Sequence, residues 1–331
     1  MNKFLLIVSS FLIIIFSGCS TKKVYEPVYV DADWSHYGDS NNEIIDVGSN
    51  VAHLEDGTVL AKDGIVDINI NEQERVISDS NGWIISSKID GNLTISNIQN
   101  PDNIILFELK KTIASASVKD DILAVLFADS EMALYNINTK ALILKEQGSK
   151  SLAVDSRIAT PHFMNNLVLF STLDGKVVII NTEKKKKLRT IIVSSEDNFN
   201  NIIYFNVIDN KIIAATGTKI LSLASKEIRV KYEIRDMVYD QENIFISTKQ
   251  GEVISLTPDM QVNAKIKFPF AHFLGMISYE DKLYLLEKEG YLIVLEKDLY
   301  DYTVHEVDIE DGYIFVGDKT FYIADEYISV D

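Results

Sequence analysis

Short apolar runs and polar turns alternate along the chain from about residue 43 onward. The clearest unit combines the run Leu167–Thr172, the turn Asp174-Gly175 and a second run, Lys176–Ile180. Asp-Gly turns are typical of β-hairpins because they tolerate the left-handed backbone angles that match the twist of the paired strands. Each unit is therefore predicted to form a β-hairpin, followed by a more polar strand.

Eight such hairpins are visible, and their central turns lie about 37 residues apart between Asp56 and Gly317. This spacing is close to the length of a four-stranded propeller blade. Runs such as Leu167–Phe170 and Val177–Ile180 are apolar at consecutive positions, so both faces of these strands must be covered, as they are between neighbouring blades. The sequence predicts an all-β fold, a β-propeller of four-stranded antiparallel blades over residues 43–331, with eight blades favoured and seven as the alternative. A β-solenoid fits less well because the unit is longer than one solenoid coil.

The first residues have the layout of a secretory signal peptide. Lys3 precedes the run Phe4–Phe16, which is apolar apart from two Ser and is too short to span a membrane as a helix. The motif Ser17-Gly18-Cys19 that follows resembles the lipobox of bacterial lipoproteins. This resemblance implies a signal peptide at residues 1–18, palmitate or a similar lipid on Cys19, and a lipidated tether at residues 19–42. The alternative is an ordinary secretory signal with an incidental Cys.

The tether carries four aromatic residues, Tyr25, Tyr29, Trp34 and Tyr37, and has no regular apolar period. A passive linker needs fewer aromatic rings. We expect some of them to pack on the propeller, with docking of a partner as the alternative.

Charge and composition exclude several classes of function. The chain has 49 Asp and Glu against 32 Lys and Arg, a net charge of −17, which argues against nucleic-acid binding because that requires a basic face. The single Cys rules out an internal disulfide, a thiolate zinc site and a redox pair. The five His occur singly and no phosphate-binding glycine loop is present. We therefore expect no enzyme activity, no cofactor, no metal site and no catalytic residue.

Two segments are candidates for contact with a partner. Phe268, Phe270 and Phe273 surround a Pro and form a docking patch if they lie on a loop, or part of the core if they enter a strand. Lys184–Lys187 with Arg189 is a basic run in an acidic chain. It is expected to be a solvated loop, with binding of anionic lipid or an acidic partner as the alternative.

The segments Asp129–Lys140 and Asp174–Glu183 resemble the quinoprotein-like, or PQQ-like, propeller repeat. The chain has only two Trp, Trp34 and Trp83, so the tryptophan belt of quinoprotein enzymes cannot be formed. Together with the lipobox, the repeats resemble the propeller lipoproteins of the outer-membrane β-barrel assembly machinery.

This resemblance implies a lipid-anchored, non-enzymatic scaffold on the outer membrane of a bacterium, facing the periplasm. It also implies that the partner is another envelope protein, with the barrel-assembly machinery as the candidate. Two alternatives stay open: an envelope enzyme or small-ligand binder with its site in the central channel, and a surface lipoprotein that binds an external ligand.

Overall fold

The predicted units fold into eight four-stranded antiparallel sheets, which are the blades of a β-propeller. The computed structural model describes residues 23–40 and 42–330, and no α-helix occurs within these ranges. The prediction of an all-β propeller with eight blades is confirmed. The predicted signal peptide and the lipidation site Cys19 lie outside the described residues.

Each blade is named here with its strands in chain order. The first strand of the chain is β1 (Tyr37–Asp39), which belongs to the last blade. Blade 1 contains β2 (Ile44–Val47), β3 (Val51–Leu54), β4 (Thr58–Ala61) and β5 (Gly64–Asn69). Blade 2 contains β6 (Arg75–Ser80), β7 (Trp83–Ser87), β8 (Asn92–Asn97) and β9 (Ile104–Glu108). Blade 3 contains β10 (Ile113–Lys119), β11 (Ile122–Phe127), β12 (Glu131–Asn136) and β13 (Leu142–Gln147). Blade 4 contains β14 (His162–Met164), β15 (Leu167–Ser171), β16 (Lys176–Asn181) and β17 (Lys186–Ile192).

The second half of the ring repeats this arrangement. Blade 5 contains β18 (Tyr204–Ile208), β19 (Lys211–Ala215), β20 (Lys219–Leu223) and β21 (Glu227–Lys231). Blade 6 contains β22 (Ile234–Tyr239), β23 (Ile244–Thr248), β24 (Glu252–Leu256) and β25 (Val262–Lys267). Blade 7 contains β26 (Phe273–Tyr279), β27 (Lys282–Glu287), β28 (Tyr291–Glu296) and β29 (Tyr302–Glu306). Blade 8 contains β30 (Ile314–Val316), β31 (Thr320–Ile323), β32 (Glu326–Ser329) and, on its outer side, β1.

Consecutive apolar residues of the middle strands pack into two different cores. In β11, Leu123 and Val125 belong to the core shared with blade 2, whereas Ala124 and Leu126 belong to the core shared with blade 4. All four side chains are buried. Successive side chains of a strand point to opposite faces, so a blade enclosed between two others needs an apolar residue at every position. This explains the unbroken apolar runs in the sequence.

The ring is closed by a strand that precedes the predicted start of the propeller at residue 43. Strand β1 pairs antiparallel with β32, with Tyr37 opposite Ile328. A β-carbon at Gly38 would lie only 2.7 Å from the Tyr327 hydroxyl oxygen, so the absence of a side chain permits the close approach. Three residues without an apolar pattern pair through their backbone alone, which sequence periodicity does not reveal.

Five of the innermost strands contain a β-bulge near their start. A bulge inserts one unpaired residue and redirects its side chain. The bulge residues are Ile45, Ile77, Ala114, Arg235 and Leu274. Four of the five are apolar, and Arg235 in blade 6 is the exception.

Candidate binding surface at the channel mouth

The connections between blades and the turns between the second and third strands lie on one face of the ring, here called the upper face. This follows because the strands of each blade alternate in direction and all innermost strands run the same way. Two of the connections are long: residues 148–161 between blades 3 and 4, and residues 193–203 between blades 4 and 5. Long ordered loops on a rigid scaffold are common places for binding sites.

Residues 151–158 cross the mouth of the central channel and are called the plug segment. The Ser49 hydroxyl of blade 1 donates a hydrogen bond to the Ile158 carbonyl oxygen at 2.7 Å. The Arg157 guanidinium donates to the backbone carbonyl of Arg235 in blade 6. The plug segment therefore contacts blades that are not its neighbours in the ring.

Paired polar groups hold the plug segment in place. The Arg157 guanidinium donates to both carboxylate oxygens of Asp155, with N–O distances of 2.9 and 2.6 Å. Burial raises the pKa of the Asp155 carboxyl, but the hydrogen bonds and charge of Arg157 outweigh it and leave this pKa below its ordinary value. The buried Asn201 side chain accepts a hydrogen bond from the Asp155 amide at 2.6 Å and donates one to the Arg157 carbonyl at 2.7 Å.

Two cavities flank the plug segment. A cavity of about 260 Å³ lies between it and blades 1 to 3, with the bulge residues Ile77 and Ala114 in its wall. A cleft of about 730 Å³ lies on the other side, between the plug segment, residues 196–199 and blade 6. Its wall contains Arg235, Lys249 and Leu274, and it is called the blade 6 cleft.

The blade 6 cleft contains two cationic side chains without a carboxylate partner. The Arg235 Nε donates to the Phe273 carbonyl oxygen at 2.7 Å. Desolvation and the nearby charge of Arg157 lower the pKa of the Arg235 guanidinium from its ordinary value. Among the described residues, neither Arg235 nor Lys249 forms an ion pair. The Asp155 and Asp236 carboxylates act on this pKa in the opposite direction but do not outweigh the two effects that lower it. The free N–H groups of Arg235 and the Lys249 ammonium are the donors that an anion entering the cleft would meet.

The three phenylalanines predicted as a docking patch have two different positions. Phe268 and Phe273 are 2% and 0% exposed and pack together in the core between blades 6 and 7. Such buried rings cannot contact a partner in the folded protein. Phe270 is 55% exposed on the connection between these blades, and the Lys23 ammonium lies 5.4 Å from its ring centre. Contact of Phe270 with a partner stays a prediction.

A smaller hollow of about 450 Å³ adjoins the blade 6 cleft at Lys249. Lys23, Lys267, Phe270 and His272 are in its wall. The tether contributes Lys23 to this wall. Two residues later, Tyr25 is buried against Phe268 and Tyr291, so at least one aromatic residue of the tether packs on the propeller as expected.

The basic run forms part of a strand and not only a loop. Lys186–Ile192 is the exposed outer strand of blade 4, and Lys187 forms an ion pair with Glu146 at 2.8 Å. Lysine is common on exposed edge strands because it discourages pairing with other chains. Binding of lipid or an acidic partner by this run stays a prediction.

Sequence reasoning missed the residues of the channel mouth. Arg157 and Arg235 are 78 positions apart and belong to no motif. A comparison of the bulge positions would have revealed the charge of Arg235, but bulges are not visible in the hydrophobic pattern.

Within the described ranges, no group of three or more His, Cys, Asp and Glu is placed to hold a metal ion. Nor does that part of the chain contain a helix of the length and apolarity needed to cross a membrane.

The chain is similar to two curated proteins. It is 30% identical to plasminogen-binding protein PgbB of Helicobacter pylori strain J99 over an alignment 341 positions long. The alignment covers 89% of this chain and 63% of that protein. PgbB of Helicobacter pylori strain 26695 is also 30% identical, with 89% of this chain and 62% of that protein covered. The chain thus spans less than two thirds of the length of these relatives.

Residues 89–297 match the family model described as RSE1/DDB1/CPSF1 second beta-propeller. Among solved structures, BamB from Moraxella catarrhalis has a TM-score of 0.67 at 13% identity, covering 89% of this chain and 98% of that chain. A crystal structure of the computationally designed Ika8 protein has a TM-score of 0.63 at 14% identity, covering 90% and 99%. At these identities the two structures share the fold alone with this chain. The quinoprotein-like character of the repeats stays a prediction.

Proposed function

This chain belongs to the RSE1/DDB1/CPSF1 second beta-propeller family, and on that premise we propose that it is a non-enzymatic, protein-binding scaffold of the bacterial cell envelope. The observation that carries the proposal is its 30% identity, over 89% of the chain, to proteins named for binding plasminogen. The long connections at residues 148–161 and 193–203 support it, because long ordered loops on a rigid scaffold are common places for binding sites.

Plasminogen is the first partner to test. The relatives are longer than this chain, so the proposal includes the statement that the shared propeller is the part that binds. The purified full chain is immobilised and plasminogen is titrated over it by biolayer interferometry, with serum albumin as the control protein. We expect saturable binding of plasminogen and none of albumin. Absence of plasminogen binding at micromolar concentration would overturn this partner.

The second candidate is assembly of outer-membrane proteins. It is supported by the resemblance of Asp129–Lys140 and the lipobox to barrel-assembly lipoproteins and by the shared fold with BamB. Mild crosslinking of the membrane-bound protein followed by affinity purification tests it. Recovery of barrel-assembly proteins is expected if this role is correct, and their absence refutes it.

Attachment through Cys19 and an outer-membrane location are part of the same proposal. The two candidate partners require opposite orientations, because plasminogen is outside the cell and the assembly role proposed from the sequence is periplasmic. Digestion of intact cells with a protease distinguishes them. Rapid loss of the protein indicates surface exposure, and protection until the outer membrane is permeabilised indicates the periplasmic side.

A further inference from the structure

We infer that the blade 6 cleft and the adjoining hollow bind an acidic peptide segment that carries an aromatic or aliphatic side chain. This inference rests on the proposed protein-binding function and names the chemistry of the partner at one site. It involves Arg235, Lys249 and Phe270.

The propeller fold does not require a charge at residue 235. The other four bulge residues, which occupy corresponding places in their blades, are Ile45, Ile77, Ala114 and Leu274. An apolar side chain is thus compatible with the bulge. Charged groups that are partly removed from water are costly unless they are paired. The bulge itself therefore does not account for a charged side chain at this position.

Arg235 is held in a fixed position with unused donors. A guanidinium has five N–H donors, and within the described part of the chain its one hydrogen-bond acceptor is the Phe273 carbonyl oxygen. Arg157, by contrast, is paired with Asp155 and with the Arg235 backbone. A carboxylate is the protein group that best matches the planar donors of Arg.

The surroundings of the two cavities add positive charge. Lys23, Lys249 and Lys267 are in the wall of the hollow, and no ion pair involves them within residues 23–40 and 42–330. The carboxylates of this region have other partners. Asp155 pairs with Arg157, and Glu196 accepts from the Thr218 hydroxyl and lies 3.6 Å from the Lys219 ammonium. Asp236 accepts from the backbone amides of residues 237 and 276, and Glu287 accepts from those of residues 272 and 289. Glu233 accepts from the Gln250 side-chain amide. Unpaired cations in a chain with a net charge of −17 are complementary to an acidic segment.

The same region has apolar surface for a neighbouring side chain. Phe199, in the wall of the blade 6 cleft, is 60% exposed, and Phe270, in the wall of the hollow, is 55% exposed. Leu274 adds an apolar group to the cleft. Binding sites commonly combine an aromatic contact with a few charged groups that fix orientation. An acidic peptide with one aromatic or aliphatic residue satisfies both features.

The probe for the test is a short synthetic peptide of aspartate and glutamate around one central phenylalanine, labelled with rhodamine. Its binding to the full chain is measured by fluorescence anisotropy. The variant Arg235→Leu, which introduces an apolar residue such as those at the other four bulges, is combined with Lys249→Gln. We expect the variant to bind about tenfold more weakly, and binding to the unaltered chain to weaken as ionic strength rises.

Lys265→Gln is the matched control, since Lys265 is exposed on the outer strand of blade 6, outside both cavities. It should bind the peptide as the unaltered chain does. A peptide with lysine in place of the acidic residues should not bind. Equal thermal unfolding temperatures of the variants confirm that the fold is intact.

Several results would overturn the inference. One is equal affinity of the double variant and the unaltered chain, and another is binding to phosphatidylglycerol vesicles in place of the peptide. The plasminogen measurement separates the inference from the proposed function. If the chain does not bind the peptide, and the double variant binds plasminogen as well as the unaltered chain does, the inference is wrong and the proposed function still holds. If the chain binds the peptide but not plasminogen, plasminogen is not the partner and the inferred peptide site still holds.

Discussion

Replacing Tyr25 with alanine removes a buried contact between the tether and the propeller. The Tyr25 side chain is 5% exposed, and its ring centre lies 6.0 Å from that of Phe268 and 5.8 Å from that of Tyr291. Both pairs are nearly perpendicular, with interplanar angles of 84° and 86°. Such edge-to-face contacts are favourable in addition to the burial of apolar area.

The expected loss follows from these two contributions. Burial of an aromatic side chain contributes about 1.5–3 kcal/mol, and two edge-to-face pairs add about 1–3 kcal/mol. Measured costs of about 3–5 kcal/mol for replacing a buried aromatic residue with alanine agree with this range. We expect Tyr25→Ala to lower the free energy of docking of the tether by about 3 kcal/mol.

Two measurements report this loss. Equilibrium unfolding in guanidinium chloride gives the change in the free energy of unfolding, and cleavage by proteinase K within residues 23–36 gives the population of the detached tether. A loss of about 3 kcal/mol raises that population by about two orders of magnitude and accelerates cleavage accordingly. Tyr29→Ala is the matched control because Tyr29 belongs to the same segment and is 73% exposed.

The control variant should remain within about 0.5 kcal/mol of the unaltered chain. If Tyr25→Ala and Tyr29→Ala unfold at the same denaturant concentration and are cleaved at the same rate, the tether does not dock through Tyr25. The structural account of the tether would then be wrong.

Four further changes test other features. Burial raises the pKa of Asp236 despite hydrogen bonds from two backbone amides and the charges of nearby cations. The native state therefore gains stability as pH falls through this folded-state pKa. Asp236→Asn should lower the free energy of unfolding less at about pH 7 than at about pH 4.5 in denaturant titrations, and a pH-independent difference would contradict this. Burial alone would raise the pKa of Glu131, but hydrogen bonds from two lysines outweigh it and leave this pKa below its ordinary value. Glu131→Gln should therefore lower the free energy of unfolding by about 1–2 kcal/mol at neutral pH. The loss should shrink as pH falls through and below the ordinary Glu pKa, which a pH series of unfolding curves would show. Phe273→Ala should cost about 3–5 kcal/mol, whereas Phe270→Ala should stay within about 0.5 kcal/mol; equal costs in chemical unfolding would refute the different burial of the two rings. Cys19→Ala should prevent lipid attachment and move the protein out of the membrane fraction, and continued membrane attachment would refute the lipobox interpretation.

The fold was predictable because the same requirement recurs in every blade. A middle strand such as β11 needs an apolar residue at each position, and this leaves a strong signal around each hairpin. Strand β1 leaves none, since its three residues contribute backbone hydrogen bonds and a close contact through Gly38. Ring closure by this strand depends on a distant partner, β32, and no local pattern encodes that pairing.

The candidate site was less predictable because it depends on individual side-chain directions. Phe268 and Phe270 are the same residue type two positions apart, where a continuous strand would place both on one face. The chain leaves β25 after Lys267, and the backbone at Phe270 has a φ of +69°, so the second ring points to solvent. Arg235 is likewise redirected by a bulge. Neither a turn of this kind nor a bulge changes residue composition, so neither is visible before the structure.

The course of the tether along the ring has a mechanical consequence. From residue 23 the chain contacts the propeller through Lys23, which lies beside the Phe270 ring, and through the buried Tyr25. The Asp31 amide and the Trp34 indole then donate to carbonyl oxygens of blades 7 and 8 at 2.8 Å each. Strand β1 follows. A force that pulls on residue 23 is therefore borne by these contacts in succession before it reaches the strand that closes the ring. The consequence is that the tether can lengthen by releasing Tyr25 before the pairing of β1 with β32 is loaded.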